Sequence, residues 1–355
     1  MTDRTEPTVN SILSEFGGDV ADFITATGDV VSDVVSGVPA PVRKSLIKAL
    51  SQLCTAAMDI PIAHFEGMAA EKRAESKFRI ALMGESTKQL ATQLNVDERF
   101  VQAASHKFAK KVVRERINLN NVAAAALAEL RHEEGSKTLD SDKPDISPVS
   151  PEIGDDWLNA FEMEASSKSS AEMQLLFGKI LAGEIRKPST FSIRTLRIMS
   201  QLDSTAAQVF AKFCSMAISK NVNGSICDVR VVSPGVDKTM NPLRDFGMPY
   251  SSLLLLQESG LLTTELASSM EYSSSVLEAG KPSVPFRYLN ENNFLMRFGN
   301  FPFSGNLPLT GPALTSAGRE LFSVVDLVPN PHYTASLRGY FNIQGLKMLS
   351  ASVQS

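Results

Sequence analysis

The sequence predicts a mainly α-helical protein: N-terminal amphipathic and long helices, a central helical bundle, and a C-terminal α+β part. Three observations predict it. Apolar residues recur at i, i+3, i+4, i+7 spacing from Ile12 to about Lys220. After Asn221, short segments alternate apolar and polar, as strands do. Between the long helices and the bundle, residues 135–151 (GSKTLDSDKPDISPVSP) have little apolar content and three prolines, the composition of a linker. The expected organisation is therefore a helical region 1–134, a linker 135–151, a central helical domain 152–222 and an α+β domain 223–355.

Composition limits the function. The chain has 355 residues, 35 basic against 39 acidic, a net charge of −4 and 43% hydrophobic residues. Collagen-like, coiled-coil and largely disordered chains do not look like this. A sequence pI of about 5.7 is not that of a general polyanion binder. Cys54, Cys214 and Cys227 stand far apart, so neither a disulfide framework nor a thiolate zinc site is expected. His64, His106, His132 and His332 form no HExxH or HxH pattern. No phosphate loop GxxxxGK[ST], dinucleotide GxGxxG, nucleophile elbow GxSxG or deaminase HxE…CxxC occurs. The reading is no enzyme, no cofactor and no metal. The scattered cysteines fit a reduced, cytoplasmic setting, and residues 1–10 lack signal-peptide order and no run is long and apolar enough to span a bilayer, so the expected protein is cytoplasmic or lies on a membrane surface.

Charge is uneven. Residues 1–40 carry seven acidic residues and one base, Arg4, whereas residues 71–116 carry eleven basic against six acidic. Opposite charge predicts attraction between the two, within one chain or between copies in a homo-oligomer. Residues 12–38 read as one or two amphipathic helices with an acidic polar face, packing against protein. Insertion into a membrane surface on activation is the alternative. A second amphipathic helix is expected over 42–58, ended by Pro61, and a third over 69–94. Residues 96–134 read as one long helix or two, with Asp97 as N-cap. On it, Lys107, Lys110, Lys111, Arg114 and Arg116 make a basic stripe, a candidate anion- or partner-binding face.

The middle segment has the densest signals. Asp155 or Asp156 is the expected cap of a helix burying Trp157 or Leu158, Phe161 and Ala165. Ser169 with Glu172 reads as a capping box for a helix whose apolar stripe is Met173, Leu176, Phe177, Ile180, Leu181 and Ile185. Pro188 stops that helix. Thr190 or Ser192 opens the next, and Asp203 or Ser204 a fourth, running to about Lys220. Glu184 falls at the edge of the apolar face, and Arg194 or Arg197 is its expected partner, as a clamp between helices.

This stretch, residues 155–196, resembles a bacterial family of domains of unknown function. The resemblance is carried by Trp157, Phe161, Lys179, Ile180, Leu181, Gly183, Glu184, Ile185, Pro188, Phe191, Ser192 and Arg194. Where that family has Pro-Gly this chain has Pro188-Ser189. The layout is also similar to the abortive-infection alpha family, which implies bacterial defence against phage. The resemblance brings no catalytic residues. It implies a non-enzymatic antiviral protein that binds a protein partner, such as a co-encoded defence protein, or a phage component.

Farther along, residues 225–232 alternate like a strand, 249–259 read as a short helix ended by Gly260, and 261–266 as a strand. Residues 286–289 and 294–298 are expected to form a hairpin across 290–293. Thr315 caps a helix in the motif Leu314-Thr315-x-x-Gly318-x-x-Leu321, residues 333–344 are a further helix, and 346–353 a last strand. Helix, Gly-Leu, hairpin and this motif together resemble the second half of a winged-helix domain, whose hairpin is the wing. Residues 248–260 contain no Lys or Arg, which disfavours nucleic acid as a partner; a DNA-binding regulator is the lesser alternative. The polar loop 268–284 is expected to be a partner-specific insertion.

Overall fold

The computed structural model describes residues 40–53, 97–134, 152–222, 224–234, 241–299 and 305–350. The expectations for 12–38, 54–58, 69–94, the linker 135–151 and 351–353 lie outside the described residues. The described part is mostly α-helical with a largely antiparallel sheet. Two compact units, 1–193 and 194–355, make up the chain. Their boundary falls inside the stretch expected as a central domain, because the first half of that stretch packs on the long helix before it.

In the first unit, α1 (Ala40–Leu53), α2 (Glu98–Glu134), α3 (Asp155–Ser166) and α4 (Ala171–Arg186) share one core. Helix α1 buries Leu46, Ala49, Leu50 and Leu53, the i, i+3, i+4, i+7 face of its sequence. Pro41 sits in its first turn, where a missing N–H costs nothing. Helix α2 is a single helix of 37 residues. Asp97 accepts the N–H of Arg99 through Oδ1 at 2.8 Å, so the expected cap is present. The pairing of α2 with α4 is the most extensive in this unit. It is close because small residues meet: a Cβ on Gly178 would lie 2.5 Å from Ala125 Cβ. Phe161, Phe177, Ile180 and Leu181 are fully buried, and Phe161 lies edge-on to Phe177 at 5.6 Å.

Two helix caps differ from expectation. Gly154, not Asp155 or Asp156, is the N-cap of α3, and the two acids occupy the first turn. There they complement the macrodipole without capping. Ser170, not Ser169, caps α4, its Oγ accepting the N–H of Met173 at 3.3 Å. The competing serines differ by one position, and the buried face decides between them.

The second unit begins with α5 (Ile193–Gln201) and α6 (Ser204–Met216). Asp203 caps α6 as expected, accepting the N–H of Ala206 at 2.7 Å. Helix α6 ends before residue 220. Ile218–Val222 is strand β1, recruited between β2 (Ser225–Arg230) and β5 (Phe286–Tyr288). Pairing on both edges, with Ile218 fully buried, overrides the helical continuation. Next come α7 (Tyr250–Glu258), β3 (Ser269–Glu271), β4 (Val276–Leu277), β6 (Glu291–Arg297), β7 (Pro308–Thr310), α8 (Ser316–Phe322), α9 (Pro331–Ile343) and β8 (Leu346–Ser350). The main sheet runs β2-β1-β5-β6-β4, with β8 also on β6; β3 pairs with β7. Helix α9 buries Tyr333, Leu337 and Phe341, and the Phe341 ring lies 6.1 Å from that of Phe286.

The expected hairpin exists with a tighter turn. Leu289 and Asn290 both have positive φ, so a two-residue connection replaces the expected 290–293 loop. The 261–266 strand reduces to one bridge, Leu262 with Leu314. The polar loop 268–284 is partly core. It supplies β3, β4 and the buried Tyr272, Ser275 and Val276.

Candidate functional site: a basic groove on the long helix

The basic stripe separates into two faces. Lys107, Lys110, Lys111 and Arg114 line a surface groove of ≈ 320 Å³ with Glu115, Asn118, Ser166 and Ser167. Arg116 points elsewhere, donating to the carbonyl of Leu53 and to Glu162, each at 3.4 Å. The reason is helical geometry: residue 116 lies roughly 200° around the axis from residue 114. Of the five basic residues expected to act together, Arg116 is thus a tie among α2, α1 and α3.

One lining residue, Asn118, is held in a polar network beneath the groove. Asn118 donates through Nδ2 to the carbonyl of Ser166 at 2.7 Å and accepts from Gln174 Nε2 at 3.1 Å. Gln174 also donates to the carbonyl of Lys168 at 2.9 Å and accepts from Asn121 Nδ2 at 3.1 Å. These side chains pin the α3–α4 turn onto α2. Sequence reasoning missed Asn118, Gln174, Ser166 and Ser167, because a polar residue inside an amphipathic pattern carries no mark of its partner.

The four cations are exposed. Among the described residues Lys111 pairs with Glu115 at 3.6 Å, and no such contact is made by Lys107, Lys110 or Arg114. They sit at the carbonyl end of α3, which has no basic residue in its own last turn. Part of their charge therefore answers the negative end of that helix, worth about 0.3–1 kcal/mol per contact at an exposed site. The remainder faces solvent, giving a cationic surface suited to carboxylate or phosphate groups.

The second group of singled-out residues gathers at the end of α4 and is structural. Glu184 is 1% exposed. Its Oε1 accepts from the N–H of Ser189 at 2.6 Å, and its Oε2 accepts from the N–H groups of Thr190 and Phe191 at 3.0 and 2.9 Å. The expectation of an arginine partner is corrected: the following turn supplies the donors, while Arg194 and Arg197 are exposed. Pro188 makes that turn, forcing Lys187 to an extended conformation and ending the helix. Trp157 stacks on Phe161 at 5.1 Å, and Phe191 lies against Gly183, where a Cβ would approach its ring to 2.8 Å. Ile180 and Leu181 are core; Ser192 is exposed just before α5.

In the second unit, Thr315 caps α8 by accepting the N–H of Gly318 at 3.1 Å. A Cβ on Gly318 would meet the carbonyl of Leu261 at 2.5 Å, so the motif brings α8 against the end of α7's loop. Asp228, Arg230 and Tyr272 form a buried network. Arg230 donates through Nε and a second guanidinium nitrogen to the two carboxylate oxygens of Asp228 at 2.6 and 2.9 Å, and Tyr272 donates to Asp228 at 2.9 Å. Arg230 also donates to the carbonyls of Ser268 and Leu309 at 2.8 and 2.9 Å. Cys214 is buried, and burial pushes its thiol well above the usual range, the environment of an unreactive cysteine. Among the described residues no His, Cys, Asp and Glu side chains converge as a metal ion needs, and no helix is long and apolar enough to cross a membrane.

Fold and groove together define a mainly helical protein with a largely antiparallel sheet and a surface groove lined by four cations. Residues 102–338 match a family described as proteins of unknown function, DUF2806, and the chain belongs to that family. The match covers α2 and its groove, the end of α4 and most of the second unit. No curated protein and no solved structure matches the chain.

Proposed function

We propose that this chain is a non-enzymatic bacterial antiviral protein that acts by docking a protein partner or a phage component. The observation that carries docking is the groove on α2, where Lys107, Lys110, Lys111 and Arg114 face one concavity with only Glu115 opposed. A cationic face of this kind steers acidic partners. The antiviral setting rests on the likeness of the chain's layout to the abortive-infection alpha family. Ser189, with φ of 68°, stands where the unknown-function family that residues 155–196 resemble has glycine, which agrees with a shared turn in that family.

The test is plating efficiency. Cells carrying the gene plate phage less efficiently than cells lacking it, and the triple variant Lys107→Glu/Lys110→Glu/Arg114→Glu loses the protection while keeping its helical circular dichroism, with Tm lowered only by the lost charge at the end of α3. Equal plating with and without the gene overturns the antiviral reading. A nucleotide- or nucleic-acid-cleaving activity removed by point changes at one cluster overturns the non-enzymatic one.

A winged-helix-like scaffold for protein contact is the finer reading of the second unit. Its support is the backbone ladder beside α7. Val231 and Ser233 donate to the carbonyls of Pro312 and Thr310, Leu314 donates to Val229, and Thr263 donates to Ala313. The 310–314 segment thus lies between 229–233 and 261–263, and the 286–297 hairpin belongs to the larger sheet instead of forming the wing. Helix α7, YSSLLLLQE, has no cation for phosphate. Salt-insensitive or absent DNA binding agrees with this reading; affinity falling steeply with salt opposes it.

A further inference from the structure

We propose that the acidic N-terminal segment of this chain, residues 1–39, docks in cis on the basic groove of α2. The inference rests on the groove being a docking surface and names its resident ligand, which an outside partner must displace.

Charge is the first argument. Residues 1–39 carry seven carboxylates, from Asp3 to Asp33, against Arg4. The groove presents four cations against Glu115. The second argument is apolar. Phe100 and Phe108, 66% and 61% exposed, lie on the same half of α2. Phe100 is seven residues before Lys107, on the same stripe, and Phe108 flanks it. A bare phosphate ligand would use the cations and leave both rings in water. An acidic segment that also carries Phe16, Val20 and Phe23 at helical spacing satisfies both halves of the surface.

The segment can reach. Lys44 pairs with Glu152, and Lys48 pairs with Asp155 at 2.6 Å, so the start of α1 lies at the start of α3. Ser166 and Ser167, at the other end of α3, line the groove. The separation is one helix of 12 residues, about 18 Å. About 20 residues of chain reach roughly 25 Å on random-coil dimensions and about 30 Å as a helix. Tethering at that length gives effective concentrations of order mM, enough for a weak electrostatic contact to be populated.

Zero-length carbodiimide cross-linking of the full chain tests it, with peptides mapped by mass spectrometry and an equal mixture of light and heavy isotope-labelled chains. The expected links join Glu15, Asp19 or Asp22 to Lys107, Lys110 or Lys111, and are light–light or heavy–heavy. Raising ionic strength from about 0.01 M to 1 M cuts the screening length from roughly 30 to 3 Å and should lower their yield about tenfold. The variant Phe100→Ser/Phe108→Ser/Arg114→Glu keeps every lysine and should lower it as well. Links to other lysines, yields unchanged by salt or by the variant, or mixed light–heavy links overturn the proposal. If no such links form while the charge-reversed groove still loses plating protection, the resident ligand is wrong and the docking surface stands.

Discussion

The indole N–H of Trp157 donates to the backbone carbonyl of Phe191 at 2.7 Å, across 34 residues of sequence. Phe191 is held from its other side, its own N–H donating to Glu184. One turn of backbone is therefore clamped between α3 and α4. Removing Glu184 as Glu184→Ala leaves three buried or half-buried amides without an acceptor and should cost about 2–4 kcal/mol, read by urea denaturation. Trp157→Phe should cost about 1–3 kcal/mol. The two act through one turn, so the double variant should lose less than the sum. Strict additivity would mean that the turn is not a shared unit.

Ser189 occupies the left-handed region with φ of 68° and is exposed. A side chain there costs about 1 kcal/mol relative to glycine. Ser189→Gly should raise Tm, the strain relieved exceeding the entropy glycine adds to the unfolded chain. A lower Tm would show that the serine hydroxyl contributes more than the backbone strain.

Gly178 is the contact point of α2 and α4, with Ala125 Cβ 2.5 Å from where its own Cβ would stand. Gly178→Val should push the helices apart and cost about 1–3 kcal/mol. Pairing it with Ala125→Gly should recover part of the loss, measured by thermal denaturation of the two variants.

Asp228 and Arg230 are 4% and 2% exposed. Arg230→Met alone strands a buried carboxylate and should cost about 3–5 kcal/mol. Asp228→Leu/Arg230→Met removes both charges and should be less damaging than the two single variants summed. A double variant at or beyond the sum would show that the arginine's bonds to Ser268 and Leu309 matter more than the ion pair.

Burial pushes the Tyr272 hydroxyl far up, with the Asp228 carboxylate beside it adding to the shift, and burial does the same to Tyr333. In the unfolded chain each ionises near its usual value of about 10. The sign follows: a raised folded value leaves stability intact below pH ~10 and lowers it as pH climbs further, because only the unfolded state releases the protons. Tyr272→Phe should flatten the alkaline limb of stability against pH. An unchanged slope would mean that Tyr272 does not contribute to it.

Local rules legible in the sequence account for much of this fold. The i, i+3, i+4, i+7 pattern places Leu158, Phe161, Phe177, Ile180 and Leu181 in a core, and they are there. Asp97, Asp203 and Thr315 cap the helices that follow them, because a cap acts within three residues and needs no distant partner. The four groove cations are also legible, since residues 107, 110, 111 and 114 share a helical face in any long helix. What only the tertiary structure decided depends on distant chain. Residues 218–222 became strand because β2 and β5 offered both edges. Tyr272 went inside because Asp228 and Arg230 were there to meet it. Glu184 took backbone amides in place of an arginine, since a tight turn brings three N–H groups to one point. Arg116 left the stripe for Glu162 because α3 lies on that side of α2. Short-range hydrogen bonds and periodicity are written residue by residue, whereas the partner of a buried polar group is set by which surfaces the whole chain closes together.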